Sequence, residues 1–191
     1  MSSFVYIASS FIAMFDANVL FPASLRDTLL RAYEKGLYTM QCTEEILEEV
    51  QRNLVSKRKI TEQQARRLMD TIRKQFPEAF VTNYKYLINS MANNPKDRHV
   101  LAAAVACRAQ VIVTNNLKDF PQSIVAPFEI EVQHPDDFLV QLFYLYPEFM
   151  IEIIEKQARD LQRPPKTALE LLSTLDQHVP NFVSLIRASI L

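Results

Sequence analysis

Glycine is nearly absent from this chain of 191 residues: Gly36 is the only one, where average usage of about 7% would give roughly 13. A chain with one glycine holds neither a GxGxxG fingerprint nor a Walker A loop, because both need backbone that only glycine lets approach a phosphate. Nucleotide cofactors bound by those routes are excluded. Cys42 and Cys107 are the only cysteines, and no Cys pair or Cys/His cluster has zinc spacing. Two cysteines make no disulfide framework, so a reducing compartment is expected. No apolar run reaches the roughly 18 residues of a membrane span. No Lys or Arg precedes the apolar run Phe11–Phe15, and the first basic residue is Arg26. A secretory leader is therefore not expected, and a soluble cytoplasmic protein without a membrane partner is. The formal charge of −1 supplies no global field for nucleic acid.

What is present is ordinary in amount and informative in order. Apolar residues make up 49% and charged residues 23%, which excludes wholesale disorder. Phe11–Phe15 is a short apolar run closed by Asp16, which suits a buried strand. Ser24 is an expected N-cap for a helix carrying Leu25, Leu29, Leu30 and Tyr33, ended by Gly36. Leu37–Gln41 reads as a second strand. Thr43 is placed to cap a helix over Glu44–Leu54, and Thr61 with Gln64 forms a capping box for a helix to about Gln75. Val81–Met91 is ambiguous. Asp97–Arg108 reads as a buried alanine-rich helix, Gln110–Thr114 as a strand and Ile130–Gln133 as an edge strand. Strands alternating with helices predict a central, mostly parallel sheet. After His134 only helices are expected, over Pro135–Tyr146, Glu148–Leu161, Thr167–Gln177 and Asn181 onward. Pro164-Pro165 is the linker signal, and Thr167 with Glu170 makes a second capping box.

Charge is uneven along the chain. Arg52–Lys74 carries a net +6 and Ala126–Asp160 a net −6. A basic helical hairpin is what a phosphate backbone would seek, although a solvated helix face has the same composition. The candidate substrate contacts are Arg52, Lys57, Arg58, Lys59, Arg66 and Arg67. The acidic block reads as solvated surface.

Chemistry has to come from carboxylates, since no Cys, Ser/His or metal–thiolate signature is coherent. Asp16 ends the first strand, Glu49 lies in the second helix, Asp97 opens the alanine-rich helix, and Asp119 follows the strand ending at Thr114. In open parallel sheets ligands bind beyond the carboxyl ends of strands. Converging carboxylates repel one another unless a divalent cation joins them, and hard oxygen ligands suit Mg²⁺ or Mn²⁺. Each acid also has a plain reading: Asp97 as an N-cap, Asp119 as a turn residue, Glu49 as surface, and Asp16 in an Asx-turn.

Four blocks, in order, resemble the motifs of PIN-domain ribonucleases of the VapC-like toxin type. They are Asp16-Ala-Asn-Val-Leu20, Glu45-Ile-Leu-Glu-Glu-Val50, Asp97-Arg-His-Val-Leu-Ala-Ala-Ala-Val105 and Val113-Thr-Asn-Asn-Leu-Lys-Asp-Phe120. The resemblance covers roughly Phe11 to Phe138. It implies an α/β fold, a three-layer α/β/α sandwich around a parallel sheet. A PIN-like nuclease domain would span residues 1–146 and a C-terminal helical extension residues 147–191. It implies Mg²⁺- or Mn²⁺-dependent hydrolysis of RNA, leaving a 5′-phosphate and a 3′-hydroxyl. By position, Asp16, Glu49, Asp97 and Asp119 match the family's acidic quartet, with Asp16, Asp97 and Asp119 as metal ligands. Asn116 matches its polar companion, Thr114 the hydroxyl at the strand end, and Asn18 a residue holding the first acid. Glu45, one helical turn before Glu49 on the same face, is the alternative glutamate. A small antitoxin that inserts a basic side chain among the acids is the implied partner, and a homodimer the expected state. The long basic stretch and the helical tail depart from the shortest VapC proteins.

Three rivals have their own signals. A non-catalytic PIN-like module would bind RNA or protein without cutting. A haloacid-dehalogenase phosphatase also places an Asp after its first strand, but wants a second Asp two residues on, where this chain has Asn18. An interaction protein could use the stripes Met150–Ile154 and Phe182–Ile186, which read more simply as core or a dimer contact. His99, in the first turn of its helix, reads as a packed neutral imidazole, since the dipole there disfavours a cation. His134 reads as a helix entry. Tyr84 and Tyr86 read as packing residues, with base stacking as the alternative.

Overall fold

The computed structural model describes residues 11–162 and 164–190. The first ten residues, on which the leader reading partly rests, lie outside them. The chain opens with β1 (Ile12–Phe15), α1 (Ala17–Leu20), α2 (Ala23–Glu34) and β2 (Thr39–Gln41). Next come α3 (Glu44–Ser56), α4 (Glu62–Gln75), α5 (Arg98–Ala106), β3 (Val111–Val113), α6 (Gln122–Val125) and β4 (Glu131–Gln133). Four helices follow: α7 (Pro135–Leu145), α8 (Pro147–Asp160), α9 (Ala168–Leu175) and α10 (Pro180–Ile190). Two compact units form from this order, and neither is one continuous stretch. One joins Phe11–Phe21 to Met40–Gln133, and the other joins Pro22–Thr39 to the described part of His134–Leu191.

The first unit is built on a central four-stranded sheet in the order β2-β1-β3-β4. β1 pairs with β3 and β3 with β4, both in parallel. The central strands are apolar throughout because both faces are covered: Ala13, Met14, Phe15, Val111, Ile112 and Val113 are all buried. β4 is the edge strand, and its residues pass from exposed Glu131 to buried Gln133. The chain leaves β1 toward β2 on one side and later returns to β3 on the other. The sheet therefore reverses its winding between β1 and β3, where an open α/β sheet forms its ligand crevice. Register sets what stands there. Phe15 pairs with Val113, so the next residues, Asp16 and Thr114, emerge side by side at the carboxyl end. α5 packs on both strands, and the small side chains of Ala102, Ala103 and Ala104, all fully buried, allow the close approach.

The second unit is helical. Tyr38 stacks edge-on to Phe138 at 5.1 Å and donates its hydroxyl to the Leu29 carbonyl at 2.9 Å. Gln157 of α8 is buried between α8 and α2, accepting from Thr28 Oγ1 (2.7 Å) and donating to the Ser24 carbonyl (2.9 Å). Asp136 of α7 accepts from Asn181 N (3.1 Å), Asn181 Nδ2 (2.8 Å) and Phe182 N (2.9 Å), which satisfies the first turn of α10. The stripes on α8 and α10 are core: Met150, Ile153, Ile154, Phe182, Val183 and Ile186 are buried within the chain.

Local signals set most helix ends. Thr61–Gln64 and Thr167–Glu170 both close reciprocal capping boxes, and Thr43 caps α3. Gly36 ends α2 at φ 78°, with Gly36 N–H on the Tyr33 carbonyl and Leu37 N–H on that of Ala32, the Schellman pattern. The same pattern ends α3 and α5, but there Arg58 (φ 53°) and Arg108 (φ 57°) hold the left-handed position. Three expectations change. Ser24 is not a cap: α2 starts at Ala23 behind Pro22, whose fixed φ and missing N–H suit a helix start, and the Ser24 carbonyl serves Gln157. Val81–Met91 holds a 3-10 turn at Lys85–Ser90. Asp136, within the acidic block, is buried instead of solvated because it carries the α10 cap. No described helix is long and apolar enough to cross a membrane.

Candidate active site

Asp16 follows β1, with its N–H on the Val113 carbonyl at 3.1 Å, so it extends the ladder into the crevice. It is buried, 4% exposed. Thr114 Oγ1 donates to Asp16 Oδ2 at 2.6 Å, and Asn18 Nδ2 donates to the same oxygen at 2.5 Å. Asn18 Nδ2 also reaches Thr114 Oγ1 (3.1 Å), while Asn18 Oδ1 accepts from Asn115 N at 2.9 Å. Asn18 thus clamps the loop after β3 to the loop after β1. Asn116 contributes its peptide N–H to Thr114 Oγ1 at 3.0 Å, and its side chain is exposed. Burial raises the Asp16 carboxyl above its ordinary range, while Thr114, the Ala17 peptide, His99 and Asn18 pull it back.

Asp97 stands at the N-cap position of α5, but its carboxylate caps nothing. The turn is closed by its backbone carbonyl, which accepts from Val100 N and Leu101 N. The N-cap reading therefore does not account for this side chain. Burial first, then the charges of Asp16 and Asp119, push the Asp97 carboxyl up to about 6. Glu49 adds to that push and His99 opposes it. Asp97 is thus within electrostatic reach of Asp16, Asp119 and Glu49, on three separate elements. Among the described residues none of the four acids is ion-paired.

Asp119 closes a 3-10 turn, Leu117–Asp119. Asn94 Nδ2 donates to its Oδ1 at 2.9 Å, and Asn94 N to its carbonyl at 3.4 Å. The Asn94 carbonyl in turn accepts from Asp97 N at 2.9 Å. Asn94 therefore ties the Asp97 turn to the Asp119 turn, a role not read from the sequence. The available signal is the Asn-Pro pair, which favours a turn. The two candidate glutamates differ in their surroundings. Glu45 Oε2 accepts from the hydroxyl of buried Tyr84 at 3.2 Å, while Glu49 is the one in reach of Asp97. Tyr84 is thus a buried packing residue and Tyr86 lies exposed. His134 caps α7, its Nδ1 accepting from Asp136 N at 3.2 Å.

The basic residues Arg52, Lys57, Arg58, Lys59, Arg66 and Arg67 are all exposed. Arg52 sits one turn beyond Glu49 on α3. The others lie at the end of α3, in the connection and on α4. Arg66 pairs with Glu62 at 3.6 Å, and Lys57 lies over the Phe21 ring at 4.7 Å.

The donor set suits a hard divalent cation: carboxylate oxygens on several elements, none of them in an ion pair among the described residues, with the Asp97 carboxyl pushed up to about 6. Among the described residues no three His, Cys, Asp or Glu side chains stand close enough to hold a metal as they are. Mg²⁺ does not demand such a cage, since it keeps several waters and binds through one or two carboxylates plus substrate phosphates.

The switch of the sheet between β1 and β3, with Asp16, Glu49 and Asp97, lies within residues 13–118, which the PIN domain family model matches. The chain belongs to the PIN domain family. A second model, the VapC50 C-terminal domain, matches residues 135–188. A Mycobacterium tuberculosis protein named "Putative ribonuclease VapC50" is 46% identical over 106 residues, which is 56% of this chain and 63% of that protein. The chain thus matches less than two thirds of that relative's length. No solved structure matches the chain.

Proposed function

We propose that this protein is a divalent-metal-dependent endoribonuclease, the toxin of a toxin–antitoxin pair. The observation that carries the reading is Asp97. Its carboxylate does no capping, makes no ion pair among the described residues, and lies within electrostatic reach of Asp16, Asp119 and Glu49 beside the switch point of the sheet. The family match and the name of the M. tuberculosis relative support the same chemistry. In this reading Asp16, Asp97 and Asp119 hold Mg²⁺ or Mn²⁺, and Glu49 completes the acidic set. When bound, the ion supplies a water of lowered pKa and offsets charge on the phosphate under attack. The chain's own residues prepare the ligands. Thr114 and Asn18 fix one oxygen of Asp16, and Asn94 fixes one oxygen of Asp119. Ligand carboxylates oriented by such hydrogen bonds bind metal more tightly. Arg52, Lys57, Arg58, Lys59, Arg66 and Arg67 position the RNA backbone without reading its sequence.

An antitoxin is the proposed protein partner, because an uncompensated carboxylate cluster attracts an inserted Lys or Arg. A homodimer and a cytoplasmic location complete the proposal, along with a nuclease domain over residues 1–146 and a helical extension over 147–191. One observation favours the rival, a PIN-like module that binds without cutting: among the described residues no three His, Cys, Asp or Glu side chains are already gathered around a metal position. Incubating the purified chain with end-labelled single-stranded RNA and DNA in Mg²⁺, Mn²⁺ or EDTA separates the two. Metal-dependent cleavage of RNA supports the ribonuclease. Binding of RNA with no cleavage in any metal supports the module.

A further inference from the structure

Asn115 stands exposed in the loop after β3, where a polar side chain ordinarily stays in water. Instead it turns back to Asn18 of α1, 97 positions earlier in the chain. Its Nδ2 donates to the Asn18 carbonyl at 3.1 Å and to Asn18 Oδ1 at 3.2 Å. Its peptide N–H donates to the same Oδ1 at 2.9 Å. A side-chain amide has an oxygen end and a nitrogen end of nearly equal size, so its partners decide which way round it sits. A peptide N–H can only donate, and the atom it meets on Asn18 is therefore the oxygen. The nitrogen of Asn18 is thereby turned the other way, onto Asp16 Oδ2 and Thr114 Oγ1. With the amide reversed, its oxygen would stand against the Asp16 carboxylate, two acceptors with no proton between them.

Resting on the metal site of the ribonuclease reading, we infer that Asn115 is a positioning residue of that site. Its amide holds the loop after β3 on Asn18, and this keeps the Asn18 nitrogen on Asp16, one of the proposed ligands. Asn115 touches neither ion nor RNA in this account; it acts through Asn18. The account has a sign that charge alone does not give. An added carboxylate beside a cation site ordinarily strengthens binding of the cation. In Asn115→Asp the new carboxylate would meet two oxygens of Asn18, drive that amide round to offer its nitrogen, and set the Asn18 oxygen against Asp16.

The test compares Asn115→Ala, Asn115→Asp, Asn18→Ala and the double variant, Asn18→Ala with Asn115→Ala, with the unmodified chain. Mn²⁺ affinity is measured by calorimetry without RNA, the thermal midpoint in EDTA checks folding, and cleavage of single-stranded RNA is followed alongside. Asn115→Ala weakens Mn²⁺ binding by about fivefold, the effect of one neutral hydrogen bond passed on through Asn18. Its midpoint shifts by less than about 4 °C, since the residue is exposed. Asn18→Ala, which removes a partner of the carboxylate itself, weakens binding by about tenfold or more. The double variant matches Asn18→Ala within about twofold, because the second substitution has nothing left to position. Asn115→Asp binds Mn²⁺ more weakly than Asn115→Ala despite its added charge. Unchanged affinity in Asn115→Ala, tighter binding in Asn115→Asp, or losses that add in the double variant each overturn the inference. So does a larger drop in the Asn115→Ala midpoint, which would make its lost affinity a loss of fold. If the unmodified chain binds no Mn²⁺, the metal site and this inference fall together. If it binds Mn²⁺ with these differences and leaves RNA uncut, the ribonuclease reading falls and the inference stands.

Discussion

The hydroxyl of Thr114 donates to the carboxylate of Asp16 at 2.6 Å, joining two residues 98 positions apart that adjacent parallel strands deliver to one end of the sheet. The contact follows from register: with Phe15 opposite Val113, the next residue on each strand meets its neighbour. Thr114→Val keeps the shape and removes the donor. Loss of a hydrogen bond to a buried carboxylate costs about 2 kcal/mol. Chemical denaturation is expected to show that loss, and calorimetry a Mn²⁺ affinity weaker by roughly tenfold or more. A variant with unchanged Mn²⁺ affinity would remove Thr114 from the proposed site.

The acidic site gives the metal-free protein a definite pH dependence. Burial and neighbouring charges raise Asp97 from an ordinary 3.8 to about 6, and burial raises Asp16 too. A carboxyl whose folded pKa is raised binds more protons folded than unfolded, so stability falls as pH rises across that interval. In EDTA the thermal midpoint should decline between about pH 4 and pH 6, so far as these two groups set it, and level off above. Asp97→Asn should flatten part of that decline. Mn²⁺ should then raise the midpoint of the unmodified chain more at pH 7.5 than at pH 5, because protons compete with the ion. Equal Mn²⁺ shifts at both pH values would count against these carboxylates as ligands.

In the helical unit the buried Asp136 carboxylate does the work of an N-cap from another helix. It accepts three N–H groups at the start of α10. Asp136→Ala leaves those donors buried or forced toward water, at about 2–3 kcal/mol. A drop of that size in urea denaturation is expected, whereas Asp137→Ala, at the exposed next position, should change stability by less than about 0.5 kcal/mol.

Scarce glycine leaves strain behind. Arg108 closes α5 at φ 57°, where a β-carbon costs about 1 kcal/mol, while Gly36 does the same task on α2 freely. Arg108→Gly relieves that cost and adds some freedom to the unfolded chain. A net gain of about 0.5 kcal/mol is expected in chemical denaturation. A loss of stability would mean that the Arg108 side chain holds more than its backbone suggests.

What could be read from the sequence is what neighbours within a few residues determine. β1 and β3 were legible because both faces are buried and their residues are apolar without interruption. The capping boxes at Thr61 and Thr167 were legible because cap and partner lie three residues apart. Ser24 misled because the preceding Pro22 starts the helix two residues earlier than a serine cap would. Asp136 misled because its burial depends on Asn181 and Phe182, some 45 positions away. The candidate acids were picked out by their order along the chain, but their settings depend on distant residues. Nothing near Glu45 and Glu49 announces that Tyr84 holds the first of them, and nothing near Asp119 announces Asn94.

The most direct measurement is Mn²⁺-dependent cleavage of end-labelled single-stranded RNA by the unmodified chain and by Asp97→Asn, with folding of both checked by circular dichroism. Cleavage that EDTA stops, and that Asp97→Asn lacks while keeping its fold, is the expected result. Undiminished cleavage by folded Asp97→Asn would contradict the assignment of the chemistry to this acidic site.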